Sequence, residues 1–167
     1  YLGLSGSLPC LAICSPAALL PGAIFSFGLA WASMVDFDRF ILPDVITLGL
    51  IAVGLGVALN EGMLATQERV IGAVAGYGAL ALLATLYQRL RGRSGLGMGD
   101  AKLLAVGGAW LGWTALPAVL LIASLCCLVL VGAQAALRGS RMPSGPIPFG
   151  PYLAGAIWVV FLFAPLV

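Results

Sequence analysis

The side chains best placed to do chemistry in this chain are aspartates. Its acidic residues are Asp36, Asp38, Asp44, Glu61, Glu68 and Asp100, and it has no histidine. Without histidine, Ser-His and Cys-His catalysis lack a base and His-ligated metal sites lack their ligands. Two aspartates facing each other from different helices can still hydrolyse a peptide. Like charges at close range cannot both ionise, so the pair shares a proton: one carboxylate activates water while its protonated partner polarises a carbonyl or protonates a leaving amine. This is the one hydrolytic chemistry the composition leaves, and it needs no metal and no cofactor.

Each aspartate also has a structural reading. Asp44 directly follows Pro43 and precedes an apolar run, which suits an N-cap or first-turn residue favoured by the helix dipole. Asp100, after Gly97 and Gly99, would likewise cap a helix starting at Ala101, with Lys102 as a solvated base at the interface. Asp36 ends a long apolar run, just within the interface. Asp38 lies about 200° round a continuing helix from Asp36, so the two cannot share a face, and one of them is a support residue or a solvated end.

The elements that must position these residues are membrane helices. Of the 167 residues 62% are hydrophobic and 8% charged, whereas soluble domains average about 25% charged. A spanning helix takes about 20 apolar residues, and the charges are grouped so that stretches of that order lie between them. The expected fold is all-α, a polytopic integral membrane helix bundle of about six transmembrane segments. The spans are read at residues 16–35, 43–59, 70–87, 101–113, 114–137 and 152–167. Residues 1–15 read as the remainder of a preceding segment, with Pro9, Pro16 and Pro21 breaking up the first apolar stretch. Residues 60–69, 88–100 and 138–151 read as loops. Gly72 and Gly76 have the small-xxx-small spacing that lets helices approach closely. The whole chain, 1–167, reads as one membrane-embedded domain.

Charge placement orients the bundle. If the loops at residues 36–44, 88–102 and 138–151 face the cytoplasm, Arg39, Arg89, Arg91, Arg93, Lys102, Arg138 and Arg141 are inside and Arg69 alone is outside. That bias follows the positive-inside rule, and it puts all four aspartates on the cytoplasmic side. Arg89, Arg91 and Arg93 read as topology determinants rather than substrate ligands. The net charge of +2 is too small to imply nucleic acid. Cys10 and Cys14, like Cys126 and Cys127, form no CxxC pair and read as buried small apolar residues.

Two stretches carry a family resemblance. Residues 97–113 read GMGDAKLLAVGGAWLGW, opening on a GxGD motif, and residues 35–48 read VDFDRFILPDVITL. Together they closely resemble the type IV prepilin peptidase family, GxGD membrane aspartic proteases of pilus and type II secretion systems. The family's first catalytic aspartate precedes the proline of an L-P-D element by seven residues, which selects Asp36 ahead of Leu42, Pro43 and Asp44. Its second is the GxGD aspartate, Asp100. The Ile147–Pro148–Phe149–Gly150–Pro151 run resembles the family's last cytoplasmic loop. Presenilin-type proteases share GxGD, but no PAL motif follows it here, and the L-P-D element argues against them. A GxSG-like stretch at Gly3–Leu4–Ser5–Gly6 resembles rhomboid proteases, yet without histidine it has no base.

The resemblance implies an aspartic endopeptidase of the bacterial inner membrane, with its site facing the cytoplasm and no metal or cofactor. Type IV prepilins or pseudopilins would lose a short basic leader at a Gly-Phe-like junction, their apolar helix approaching through the bilayer. Asp36 and Asp100 would hold the water, Gly97 and Gly99 would shape the backbone beside the scissile bond, and Asp38, Asp44 and Lys102 would tune or orient the site or serve as helix-end structure. Longer members also carry a cytoplasmic domain with two CxxC pairs and N-methylate the new terminus. Nothing here matches that domain, so the expectation is a peptidase-only member or a piece beginning after it, with methyltransferase activity and S-adenosylmethionine binding unsupported. Two alternatives stand beside this: a small proton- or cation-coupled transporter, against which the aspartates cluster at one end with no internal repeat, and an inactive prepilin-binding assembly factor. Oligomeric state is not legible.

Overall fold

The computed structural model describes residues 16–39, 44–92, 97–137 and 149–163, and for residues 16–19, 32, 33, 35–39, 91 and 135 the backbone alone. Pro43, Arg93, Arg138, Arg141, Cys10, Cys14 and the Ile147–Pro148 half of the last motif lie outside the described residues. The described chain forms six helices: α1 Pro16–Arg39, α2 Asp44–Glu61, α3 Met63–Arg91, α4 Met98–Leu111, α5 Leu116–Leu137 and α6 Gly150–Phe163. In lipid every backbone polar group must be satisfied within the chain, so apolar runs of this kind become helices. Asp44–Glu61, Met63–Leu90 and Leu116–Gln134 are long and apolar enough to cross a membrane, and Leu20–Trp31 and Gly150–Phe163 are shorter apolar stretches. The protein is an all-α membrane helix bundle.

Helix α4 is the centre of the bundle. It packs against α2, α3, α5 and α6, and its residues from Asp100 to Trp110 are buried except Lys102. Its small residues explain this, because backbones approach most closely where there is little side chain between them. On α3 the buried positions Gly72, Gly76, Leu80 and Ala84 recur every fourth residue, and at Gly72 and Gly76 this face meets α4. A Cβ added at Gly108 would lie 2.1 Å from the Gly72 carbonyl oxygen, and one at Gly76 would lie 2.8 Å from the Leu104 carbonyl oxygen. Only glycine permits that approach, as the Gly72/Gly76 spacing predicted.

Aromatic rings lock the other side of α4. Phe25 of α1 stacks on Trp110 of α4 at 4.4 Å between ring centroids, and Phe161 of α6 leans on both. The Trp110 indole Nε1 donates to the Leu50 carbonyl of α2 at 2.9 Å, so a buried polar atom is satisfied by a neighbouring helix.

Several expected boundaries move. Residues 60–69 are not a loop: Gly62 alone, at φ 121°, separates α2 from α3. The polarity of that stretch is absorbed on the helices, with the Asn60 amide donating to the Gly56 carbonyl, the Thr66 hydroxyl donating to the Gly62 carbonyl, and Arg69 paired with Glu61. Helix α3 also runs further than expected, to Arg91, where Gly92 ends it in the left-handed conformation at φ 65°. Helix α1 continues through Pro21 rather than breaking there, at the cost of one backbone hydrogen bond. Cys126 is exposed and Cys127 half-buried on the outer side of α5, so these two are not core residues.

Candidate active site

Asp100 is 6% exposed, the one buried carboxylate among the residues whose side chains are described. It is the third residue of α4 rather than the residue before it. Gly97 is the N-cap in extended conformation, φ −74° and ψ 139°, and the Asp100 amide donates to the Gly97 carbonyl at 3.1 Å. The first turn of α4 therefore surrounds the carboxylate with the positive end of a helix dipole. A Cβ at the exposed Gly97 would lie 3.7 Å from Asp100 Oδ2. Glycine there adds no side chain next to the carboxylate.

The helix register places the other candidates at the same end of the bundle. Gly28 of α1 packs against Leu50 of α2, so these antiparallel helices bring the backbone of Asp36, near the end of α1, level with the start of α2. Asp38 lies on the same final turns of α1. Asp44 opens α2 and its carboxylate forms an ion pair with Lys102 of α4. Thr47 is 1% exposed and its hydroxyl donates to the Asp44 carbonyl at 3.2 Å, closing the first turn of α2. Asp36, Asp44, Gly97, Gly99, Asp100 and Lys102 are thus brought to one end. Glu61, Glu68 and Arg69 are at the other, where Glu68 lies against Gly112.

Helix α3 extends past the level of Asp100. Gly72 is level with Gly108 and Gly76 with Leu104, so α3 and α4 are antiparallel and the same register sets Asp100 level with Leu80. From Leu80 to Arg91 is eleven residues, so α3 continues roughly 16 Å beyond the Asp100 carboxylate. On that extension Leu82, Leu83, Leu86 and Leu90 are exposed, as lipid-facing residues are. By this register Asp100 is level with the apolar stretch of α3 that is long enough to cross a membrane, and ionisable groups at membrane depth are costly and tend to be functional.

Beside it, a groove of about 450 Å³ runs between α2, α3 and α4. Leu48, Ile51, Val74 and Ala105 make its apolar wall, Tyr77 and Thr47 line it, and Asp44 and Lys102 bound it. The roles of Thr47 and Tyr77, and the pairing of Lys102 with Asp44, carried no signal in the sequence, where single polar residues in apolar helices look alike. A larger recess of about 510 Å³ on α5, lined by Pro117, Leu121, Ser124 and Leu125, holds no ionisable residue and is the corrugated outer surface of one helix.

A bundle of apolar helices with a buried aspartate at one end, behind a Gly-x-Gly turn, is the architecture of a membrane protein with an intramembrane acidic site. The chain belongs to the type IV leader peptidase family, which it matches over residues 23–132, a stretch that includes both Asp36 and Asp100. It is 43% identical over 146 residues to a prepilin leader peptidase/N-methyltransferase of Aeromonas hydrophila, covering 85% of this chain and 50% of that protein. Proteins of the same description from Burkholderia pseudomallei (strain 1026b) and Pseudomonas aeruginosa are 44% and 40% identical over 86% and 84% of this chain and 48% of their own length. The chain spans about half the length of the curated relatives it matches. No solved structure matches it.

Proposed function

We propose that this chain is an aspartic endopeptidase that removes the short basic leader from type IV prepilins or type II secretion pseudopilins, with Asp36 and Asp100 as the reacting pair. The observation that carries it is the Asp100 carboxylate, buried in the first turn of α4 at the bundle end to which the last turns of α1 bring the backbone of Asp36. Membership of the leader peptidase family supports the same reading.

One carboxylate of the pair removes a proton from a water held between them, and the water oxygen bonds to the scissile carbonyl carbon. The protonated partner donates its proton to the carbonyl oxygen, giving a neutral tetrahedral diol. Collapse of the diol breaks the C–N bond; the first carboxyl returns its proton to the leaving nitrogen, and the partner recovers its own from the diol hydroxyl. The shared proton belongs to the pair rather than to either aspartate. Gly97 and Gly99 let an extended substrate backbone approach the carboxylate. Asp38 and Pro43, of the L-P-D element, are supporting residues.

The seven basic residues on the aspartate side orient that end toward the cytoplasm, in the inner membrane of a bacterium. The 167 residues act as a single membrane-embedded peptidase unit, to which we assign the peptidase reaction only. Co-expression with a prepilin tests this: the unaltered chain shortens the prepilin by its leader, and Asp36→Asn and Asp100→Asn do not. Persistent cleavage by either variant overturns the pair.

A further inference from the structure

The two proposed reacting carboxylates ride on separate elements. Asp36 is on α1, joined to α2 through residues 40–43, and Asp100 is on α4. The Asp44–Lys102 ion pair bridges α2 and α4: Asp44 is the first residue of α2, the helix that follows α1, and Lys102 follows Asp100 by two residues on α4, with side chains 64% and 32% exposed. The partners are 58 residues apart in sequence.

The first turn of α4 has Gly97 as its N-cap, which supplies no side-chain hydrogen bond, and Gly99 within it, so helix propensity contributes little there. Lys102 points about 200° away from Asp100 around the helix, toward α2 and the groove. It is suited to act through the placement of α4 rather than on the substrate. Both partners line the groove, so an uncharged chain of similar length has room to take the place of Lys102.

We propose that the Asp44–Lys102 ion pair is a positioning device that sets the register of the α1–α2 hairpin against α4, and with it the separation of Asp36 and Asp100. The inference rests on the two-aspartate reading above. Misplacing a catalytic group by about 1 Å can cost on the order of a hundredfold in rate, so the pair should be visible in turnover and not in substrate binding.

The test uses the whole chain in detergent or native membranes, with a prepilin as substrate. Lys102→Met and Asp44→Asn should each lower kcat by about tenfold or more with KM within about twofold, and the thermal unfolding temperature in detergent should hold. The double exchange Asp44→Lys with Lys102→Asp restores the pair in reverse. It should recover part of the lost kcat, and only part, because a lysine in the first turn of α2 opposes the helix dipole. Unchanged kcat in Lys102→Met, a loss confined to KM, or a folded exchange variant no better than the single variants overturns the inference. Should the single variants fail to accumulate, the folded exchange variant decides alone: cleavage supports the positioning role and inactivity removes it. No cleavage by the unaltered chain would instead remove the two-aspartate reading itself.

Discussion

Among the described residues an ion pair stands at each end of this bundle, and the two are built differently. At the Glu61 end, Arg69 pairs with a residue eight positions earlier and also donates to the Gly54 carbonyl at 3.5 Å. That pair spans the Gly62 turn and ties two helices the chain already joins. At the Asp44 end, the partners are 58 residues apart and join helices that only the fold brings together. A local pair adds little order that the turn has not imposed. A distant pair sets how one element lies against another, which is the quantity a two-residue site depends on.

The largest effect that would test this contrast is at the acidic pair. Asp100→Asn should lower leader cleavage by on the order of 10⁴-fold, the upper range for a positioned acid or base, while the protein still purifies as a folded helical species by circular dichroism. Next is the axis that connects the two ends. Gly108→Leu puts atoms where the Gly72 carbonyl lies, so α3 and α4 must separate. The expected cost is at least about 1–3 kcal/mol, as for overpacking elsewhere, read as a fall in unfolding temperature in detergent with cleavage lost alongside.

Smaller effects separate access from stability. The Cβ added by Gly97→Val meets Asp100 Oδ2 at 3.7 Å and the Gly99 amide nitrogen at 3.9 Å, both ordinary contact distances. It should therefore reduce cleavage by roughly tenfold, as expected for a displaced substrate, without moving the unfolding temperature. The smallest effect is at the far end. Arg69→Met removes a pair whose side chains are 17% and 45% exposed, and with solvent screening it should cost about 1 kcal/mol or less. Cleavage should stay within about twofold of the unaltered chain. If Arg69→Met were as damaging to kcat as Lys102→Met, the distinction between local and distant pairs would fail.

What could be read from the sequence follows the same division. Charge grouping and apolar length pointed to a helical membrane bundle, and the L-P-D and GxGD stretches singled out Asp36 and Asp100, because local patterns carry both kinds of signal. Residues 60–69 misled because their polarity resembles a loop, whereas Asn60, Thr66 and Arg69 turn back onto helix backbone and a neighbouring carboxylate. Burial was hidden as well. Helices α4 and α5 are both strongly apolar, yet α4 is enclosed and α5 mostly exposed. The glycine and alanine content of α4 was the available clue, since close packing needs small residues and lipid contact does not. The partner of Lys102 could not be read at all, because nothing local relates positions 44 and 102.

The tryptophans give the bundle an optical label. Trp31, Trp113 and Trp158 are 64%, 51% and 44% exposed, whereas Trp110 is 6% exposed, stacked on Phe25 and hydrogen-bonded to α2. A quencher carried on lipid chains would reach the first three and leave Trp110 emitting. The residual fluorescence would then report, during turnover, whether α1, α2 and α4 remain clamped together while a substrate is admitted.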